Sequence, residues 1–541
     1  MLPGTVDLLL TGGLVYDGTG AAPMVCDIGV VDGRIVLDPT RATGVGRGVG
    51  TDVLDAAGLA VCPGFVDIHT HSDLTLLSNP LGASKIRQGV TTEVVGNCGL
   101  GLNPLPADIG PIRAAVGYLD LDPAVQISWT DFDGYLRTLD TARPAMNVAS
   151  FAPHLPLHAG AVGLDDRQPT AEQIARMVGQ LDDAMAAGAV GLSTGLVYAP
   201  LCYVEDDELI ALGEVVGRHG GLFAWHVRDY ADELIPSVQQ AIRIARSTGC
   251  RLQISHLTAV GRRNWGAVTT ALAEVDAAAA DGIDVGVDIY PYLAGNAPLS
   301  QLLPDWAQQG GDLVFAPRLR DPQVRSRVVA GWADRHWDWN DIVVNAVAGD
   351  GGHDPATAAI LGKTIVELAG SAGPAADEVV LDLLAEHGAS VLMVAFGRSE
   401  DDLRAVLTHP ATVVASDGQA LDPSGPTGAA GLPHPRSYGC FPRYLSRYST
   451  DLADGIRRCT SAPADRVGLT DRGRVADGLP ADLLVFDPAT LTDTATFSAP
   501  QQFAEGIAAV LVGGTVVLDN GADTGARPGR ILRFTADDDE R

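Results

Sequence analysis

Eight short apolar stretches rich in Val, Ala and Ile, separated by Ala-rich segments of helical length, recur between residues 65 and 415. The spacing predicts strands at 65–69, 92–96, 147–151, 189–193, 222–226, 252–256, 284–289 and 412–415, with helices such as 171–187 and 267–280 between them. Eight strand and helix units in one chain match a (β/α)8 barrel, an α/β fold. The stretch 63–417 exceeds the roughly 250 residues typical of that barrel, and the excess falls between the seventh and eighth strands. That excess, 294–397, holds Trp306, Trp332, Trp337 and Trp339, four of the seven tryptophans, and is predicted to be an inserted subdomain able to cover the mouth as a lid. The two chain ends share another pattern, LLLTGGLVYDG early and AVLVGGTVVLDNG late, each read as a hairpin about a Gly-Gly turn. With further strands at 28–37, 60–62, 482–486 and 530–534, residues 1–62 and 470–541 are expected to form one small β-sandwich domain. The barrel itself is then 63–293 and 398–469.

Composition narrows the function classes. An apolar content of 46% with 19% charged residues describes a globular chain. A formal charge of -30 repels a phosphate backbone and an anionic lipid surface, so nucleic acid and membrane are poor partners. No apolar run approaches the roughly 20 residues that span a bilayer. The first residues lack a basic segment before their short apolar run, so a secretory leader is not expected and a cytoplasmic location is. Seven cysteines, an odd number without framework spacing, read as reduced thiols. The expected partner is a small molecule, and a homo-oligomer is left open.

His69-Thr70-His71 closes the first strand, and the two-residue period of a strand points both imidazoles the same way. Such a pair suits a divalent metal. Cys98 follows the second strand in GNCGLG, His226 ends the fifth in FAWHVRD, His256 ends the sixth in LQISHLT and Asp417 ends the eighth in VVASDGQ. Taken singly, each has an ordinary reading: a polar histidine pair, a small buried cysteine, hydrogen-bonded core histidines, an aspartate capping a helix. Six metal-competent residues at strand ends, where barrel enzymes keep their catalytic groups, point instead to one metal site.

PGFVDIHTHSD, IRQGVTTEVVGNCGLGLNP, GAVGLSTGLVYAP, ISHL with GRRNWG, DIYPYLAG, SDG with HPRSYGCFPRYL, and ADLLVFDP together resemble the D-aminoacylase family, the N-acyl-D-amino-acid deacylases of the amidohydrolase superfamily. The resemblance covers nearly the whole chain. It implies a tightly held zinc on Cys98, His226 and His256, a second, weaker position at His69 and His71, and a catalytic Asp417 beside them. Related two-metal hydrolases use a carboxylated lysine as bridge. The only lysines here are Lys85, in the presumed helix after strand one, and Lys363, in the insertion; neither is placed to bridge, which leaves that task to the Cys98 thiolate. Zinc lowers the pKa of its bound water from 15.7 toward about 7 and polarises a carbonyl, and Asp417 would take the water's proton and return it to the leaving nitrogen.

His154 and Tyr198 match family positions able to donate to the carbonyl oxygen, with a loop histidine and a packing tyrosine as the alternatives. For the substrate's carboxylate the sequence departs from its family: relatives carry a lysine where this chain has Thr258. Arg436 in HPRSYG is expected to grip the α-carboxylate bidentately, supported by Tyr290 or Tyr292 and with Arg228 nearby; a structural salt bridge is the alternative for Arg436. With no spare lysine near it, the side-chain pocket is expected to prefer apolar groups. The activity implied is zinc-dependent hydrolysis of N-acyl-D-amino acids to a carboxylate and a free D-amino acid. The rivals are another amidohydrolase reaction on the same site, on a cyclic amide, a carbamoyl group or another amide, and an inactive scaffold.

Overall fold

All eight expected parallel strands are present, in the expected order. The computed structural model describes residues 6–38, 51–106, 109–116, 119, 122, 124–333, 335, 337–348, 355–371, 373–429 and 431–535. Strand one is Phe65–Asp67, strand two Val90–Val95, strand three Asn147–Ser150 continued by Ala152–Pro153, strand four Gly191–Gly195, strand five Leu222–His226, strand six Arg251–Ile254, strand seven Val285–Ile289 and strand eight Thr412–Val414. Nearly every residue in them is buried, as expected of parallel strands covered on both faces. The ladders form a three-stranded and a six-stranded sheet. Strand three belongs to both: Phe151 N donates to Val95 O at 2.9 Å, and Val190 N to Ser150 O at 3.0 Å. Beyond strands one and eight, Thr70 bridges Gly418, with Asp417 N donating to His69 O and His71 N to Gly418 O, each at 2.8 Å.

The intervening helices end where their sequences dictate. Ala171–Ala186 begins at a capping box in which Thr170 and Gln173 satisfy each other's backbone amides. Leu234–Thr248 stops at Gly249, whose φ of 69° suits the left-handed turn that closes a helix. Among the described residues no helix is long and apolar enough to cross a membrane.

Both chain ends share one seven-stranded sheet, in which Leu14–Val15, Met24–Val25 and Ala60–Pro63 join Leu483–Phe486, Ile507–Val512, Thr515–Asp519 and Ala522–Asp523. A four-stranded sheet packs against it through a shared cluster that includes Leu10, Ile28, Ile35, Val61, Leu483 and Leu511. The late Gly-Gly motif is the expected hairpin; the early one is not. Leu8–Thr11 pairs with Ile28–Val31 and Asp52–Asp55, whereas Leu14–Val15 pairs with Met24–Val25 and Ala60–Pro63. The chain therefore crosses between sheets at Gly12-Gly13, where a Cβ on Gly13 would meet Val61 at 2.6 Å. Residues 530–534 form no strand of the small sheets either. Ile531 makes a single bridge to Val148, and Leu532 N donates to Val148 O at 2.8 Å, so this tail docks on strand three.

Between strands seven and eight, Gly295–Pro298, Val391–Ala395 and Ile342–Val347 build an antiparallel sheet with Val391–Ala395 at its centre. Leu302, Trp332, Val344, Leu384 and Met393 belong to a hydrophobic cluster of its own beside that sheet.

Candidate metal centre

The strand ends converge on one buried corner. His69 Nε2 lies 3.2 Å from Cys98 Sγ, which lies 3.5 Å from His256 Nε2. Asp417 Oδ1 stands 3.4 Å from His69 Nε2 and 3.0 Å from His71 Nε2. Ligand atoms of His69, Cys98, His256 and Asp417 all fall within 4.8 Å of one another. His226 packs its ring edge-on to His256, centroids 4.5 Å apart. Cys98, His256 and Asp417 hold left-handed backbones, with φ of 55°, 36° and 52°, a conformation that costs about 1–3 kcal/mol for residues other than glycine and gathers at functional sites. Glycine makes the turn at Cys98 possible: a Cβ on Gly195 would sit 2.1 Å from the Cys98 carbonyl oxygen, and Gly99 presses on the same strand.

The donor set fits a borderline-soft divalent ion, with one sulfur, imidazole nitrogens and a carboxylate. Both His226 ring nitrogens are buried and have no hydrogen-bond partner among the described residues, an arrangement costly in a protein interior unless a further ligand completes it. Burial pushes the His226 pKa down to about 3 and, joined by His226 itself, drives His256 well below its ordinary value, so both imidazoles are held neutral, the form able to ligate a metal. Burial pushes the Cys98 thiol up to about 11, against the pull of His69. Burial also opposes the charge on Asp417, but Arg436 and His69 outweigh it and hold the carboxyl well below the usual range. His69 goes the other way: burial disfavours its charge, yet Cys98, Asp288 and Asp417 together raise it.

The family model for the amidohydrolase family matches residues 52–518. The N-acyl-D-aspartate deacylase of Alcaligenes xylosoxydans xylosoxydans is 35% identical over 540 residues, covering 98% of this chain and 95% of that protein. The D-aminoacylase of the same organism is 33% identical and covers 98% of each. The chain belongs to the D-aminoacylase family of amidohydrolases. Among solved structures, N-acyl-D-glutamate deacylase from Bordetella bronchiseptica, complexed with zinc and a phosphonate that mimics the tetrahedral intermediate, superposes with a TM-score of 0.81 at 32% identity, covering 98% of this chain and 100% of that one.

In this D-aminoacylase family member the corner opens into a cavity of about 840 Å³, lined by His71, His226, His256, Asp417, Tyr198, Thr258, Arg228, Tyr290 and Arg436 among others. The insertion supplies one wall, including Trp306, Trp332 and Trp337. The Tyr198 ring lies tilted against His226, centroids 4.9 Å apart, and burial raises its pKa well above the ordinary value, so its hydroxyl keeps its proton. Arg436 Nη1 donates to Asp417 Oδ2 at 2.7 Å, and its guanidinium lies 4.6 Å from the Tyr290 ring centroid. Arg228 lines the cavity but is tied to the chain: Nε donates to Gln240, and the two Nη groups donate to Cys202 O and Val204 O.

Of the residues expected to act on or hold the substrate, two stand away from the cavity. His154 does not reach it, because both ring nitrogens are engaged elsewhere, Nδ1 2.9 Å from Thr194 Oγ1 and Nε2 2.8 Å from Glu208 Oε1, in a buried cluster with His158. Tyr292 donates its hydroxyl to Asp493 at 3.0 Å and is likewise absent from the cavity wall. Asp288 was not singled out by the sequence pattern, yet its Oδ1 lies 3.1 Å from His69 Nδ1 and accepts from His256 N at 2.9 Å. A charged residue inside the apolar run VGVDI is the signal that marks it. Lys85 comes from its helix, Ala83–Ile86, into the interior, with Nζ 2.8 Å from Asp67 and 2.8 Å from Glu93 and donating to Ser416 Oγ at 2.7 Å. It is thereby committed beneath the site.

Proposed function

We propose that this protein hydrolyses the amide bond of N-acyl-D-amino acids, releasing a carboxylate and a free D-amino acid. The observation that carries this reading is the meeting of Cys98, His69, His256 and Asp417 at one cavity corner in a chain alike over nearly its whole length to N-acyl-D-amino-acid deacylases. Cys98, His226 and His256 would hold a tight zinc, with His69 and His71 at a weaker second position; a bound zinc supplies an electrophile for the carbonyl and acidity for water. Asp417, positioned by Arg436 and His71, takes the proton of the attacking water and delivers it to the departing nitrogen. Tyr198 donates its retained proton as a hydrogen bond to the carbonyl oxygen as negative charge develops there. Tyr290, Thr258, Arg228 and Arg436 line the space for the amino-acid part, and the apolar wall of Leu302, Leu303, Trp306, Leu392 and Met393 favours apolar over acidic side chains.

In this reading the eight parallel strands close as a (β/α)8 barrel over 63–293 and 398–469, residues 1–62 and 470–541 supply a small β sandwich from which the 530–534 tail departs to dock on strand three, and 294–397 acts as a lid. The substrate is a small molecule rather than nucleic acid or membrane, and the protein works in the cytoplasm, with self-association compatible with the reading. Paired assays on N-acetyl-D- and N-acetyl-L-amino acids test the function. Turnover of the D series alone is expected; faster turnover of the L series, or of cyclic amides, overturns it.

A further inference from the structure

The insertion returns to the parallel strands through Phe396, Gly397 and Arg398, and this return is pinned. Gly397 O accepts from Gly261 N at 3.2 Å and from Trp265 Nε1 at 2.9 Å, both on the loop after strand six that also carries Thr258. Arg398 enters the cavity from there. Its Nη2 donates to the Tyr290 hydroxyl at 2.7 Å, and its guanidinium lies 4.8 Å from the Tyr290 ring centroid. Nη1 is buried and has no hydrogen-bond partner among the described residues. No carboxylate among the described residues pairs with this guanidinium, whereas the other arginine on Tyr290, Arg436, spends its Nη1 on Asp417. Gly295 clears room for it, since a Cβ there would stand 2.9 Å from Arg398 Nη2. Thr258, in the adjoining wall, offers a hydroxyl and no charge.

A partly buried guanidinium whose buried Nη1 has no partner and no counter-ion among the described residues, held on an aromatic ring at the cavity wall, is built to take an anion from outside the protein. We infer that Arg398, with the Tyr290 hydroxyl beside it, binds the α-carboxylate of the substrate alongside Arg436, supplying the positive charge that Thr258 does not. This inference rests on the proposed N-acyl-D-amino-acid substrate.

The test compares Arg398→Met with the wild type on N-acetyl-D-leucine and on its neutral C-terminal amide. Truncating one partner of a buried charge pair predicts a loss of about 30-fold or more in kcat/KM on the acid, chiefly as a raised KM, with the amide little changed and metal content and Tm retained. Arg398→Lys should recover part of the loss. Equal losses on acid and amide, no loss on the acid, or a loss confined to N-acetyl-D-glutamate would each overturn the assignment. Should Arg398→Met fail to fold, Gly295→Ala displaces the guanidinium with a single methyl and must show the same selective loss. Calorimetric binding of D-leucine against D-leucinamide reads the contact without turnover. A wild type that cleaves no N-acyl-D-amino acid refutes the proposed function. If Arg398→Met then still weakens D-leucine binding, the carboxylate contact stands apart from that function; if it does not, the contact fails too.

Discussion

Asp417→Asn separates proton transfer from architecture, because the carboxamide keeps the shape of the carboxylate. Its oxygen can still accept from Arg436 Nη1, now 2.7 Å from Oδ2, and its NH2 can face His71 Nε2, now 3.0 Å from Oδ1. Alanine would instead strip the partner from a buried guanidinium, a loss that costs about 3–5 kcal/mol and confuses folding with chemistry. The asparagine variant therefore retains its Tm and metal content while the amide nitrogen accepts no proton from water. General acid-base groups contribute about 10²- to 10⁴-fold. At about 1.36 kcal/mol per factor of ten, this adds about 2.7–5.4 kcal/mol to the barrier. Steady-state kcat on N-acetyl-D-leucine measures it, with metal content per chain determined on the same preparation. A loss below about tenfold would remove Asp417 from proton transfer, and loss of the metal together with activity would make it chiefly a ligand.

Cys98→Ala removes the one sulfur of the donor set, so purified variant is expected to lose its bound zinc and its activity together; full metal content in elemental analysis refutes the assignment. Lys85→Met leaves Asp67 and Glu93 as buried carboxylates around an apolar side chain, and denaturant titration should show a destabilisation of about 3–5 kcal/mol, with an unchanged midpoint as the contrary result. Glu208 gives a pH signature: although burial opposes its charge, His154 and His158 pull its pKa from 4.5 down to about 2. A depressed carboxyl stabilises the fold fully above the unfolded value, and that stabilisation fades as pH falls from about 4.5 towards 2. The Tm gap between wild type and Glu208→Gln should accordingly shrink across that window, and a constant gap would show that the histidine pairing does not govern it.

The parallel strands were legible because each is a short apolar run bounded by turn residues, and the observed boundaries differ from expectation by a few residues. The metal-competent residues were legible for a related reason: a strand end fixes where a side chain emerges, so His69, Cys98, His226, His256 and Asp417 could be placed from order alone. What escaped depends on tertiary contact. Gly12-Gly13 has the composition of a hairpin turn, and only the separate partners of the flanking strands make it a crossing. Residues 530–534 look like any short strand until strand three captures them. His154 sits near the site in sequence order but turns toward Glu208, a residue 54 positions later. Arg398 has no periodic signal at all, since it follows an irregular insertion whose path decides what it faces.

The proposed Arg398 contact accounts for how a protein of net charge -30 would hold an anionic substrate. At physiological ionic strength the Debye length is about 8 Å, so most surface carboxylates are screened from a ligand inside the cavity. What such a ligand senses is local. Asp417 is balanced by Arg436, and Asp288 is turned toward His69, Gln253 and the His256 amide. Arg398 is left without an ion-pair partner among the described residues at the same aromatic ring, where low dielectric strengthens its attraction for a carboxylate. The strand ends hold the metal-competent residues, and the segment just past the insertion, where the chain returns to the parallel strands, delivers this cation. Substitutions at that return can therefore change which substrate is gripped without disturbing the residues proposed to cleave it.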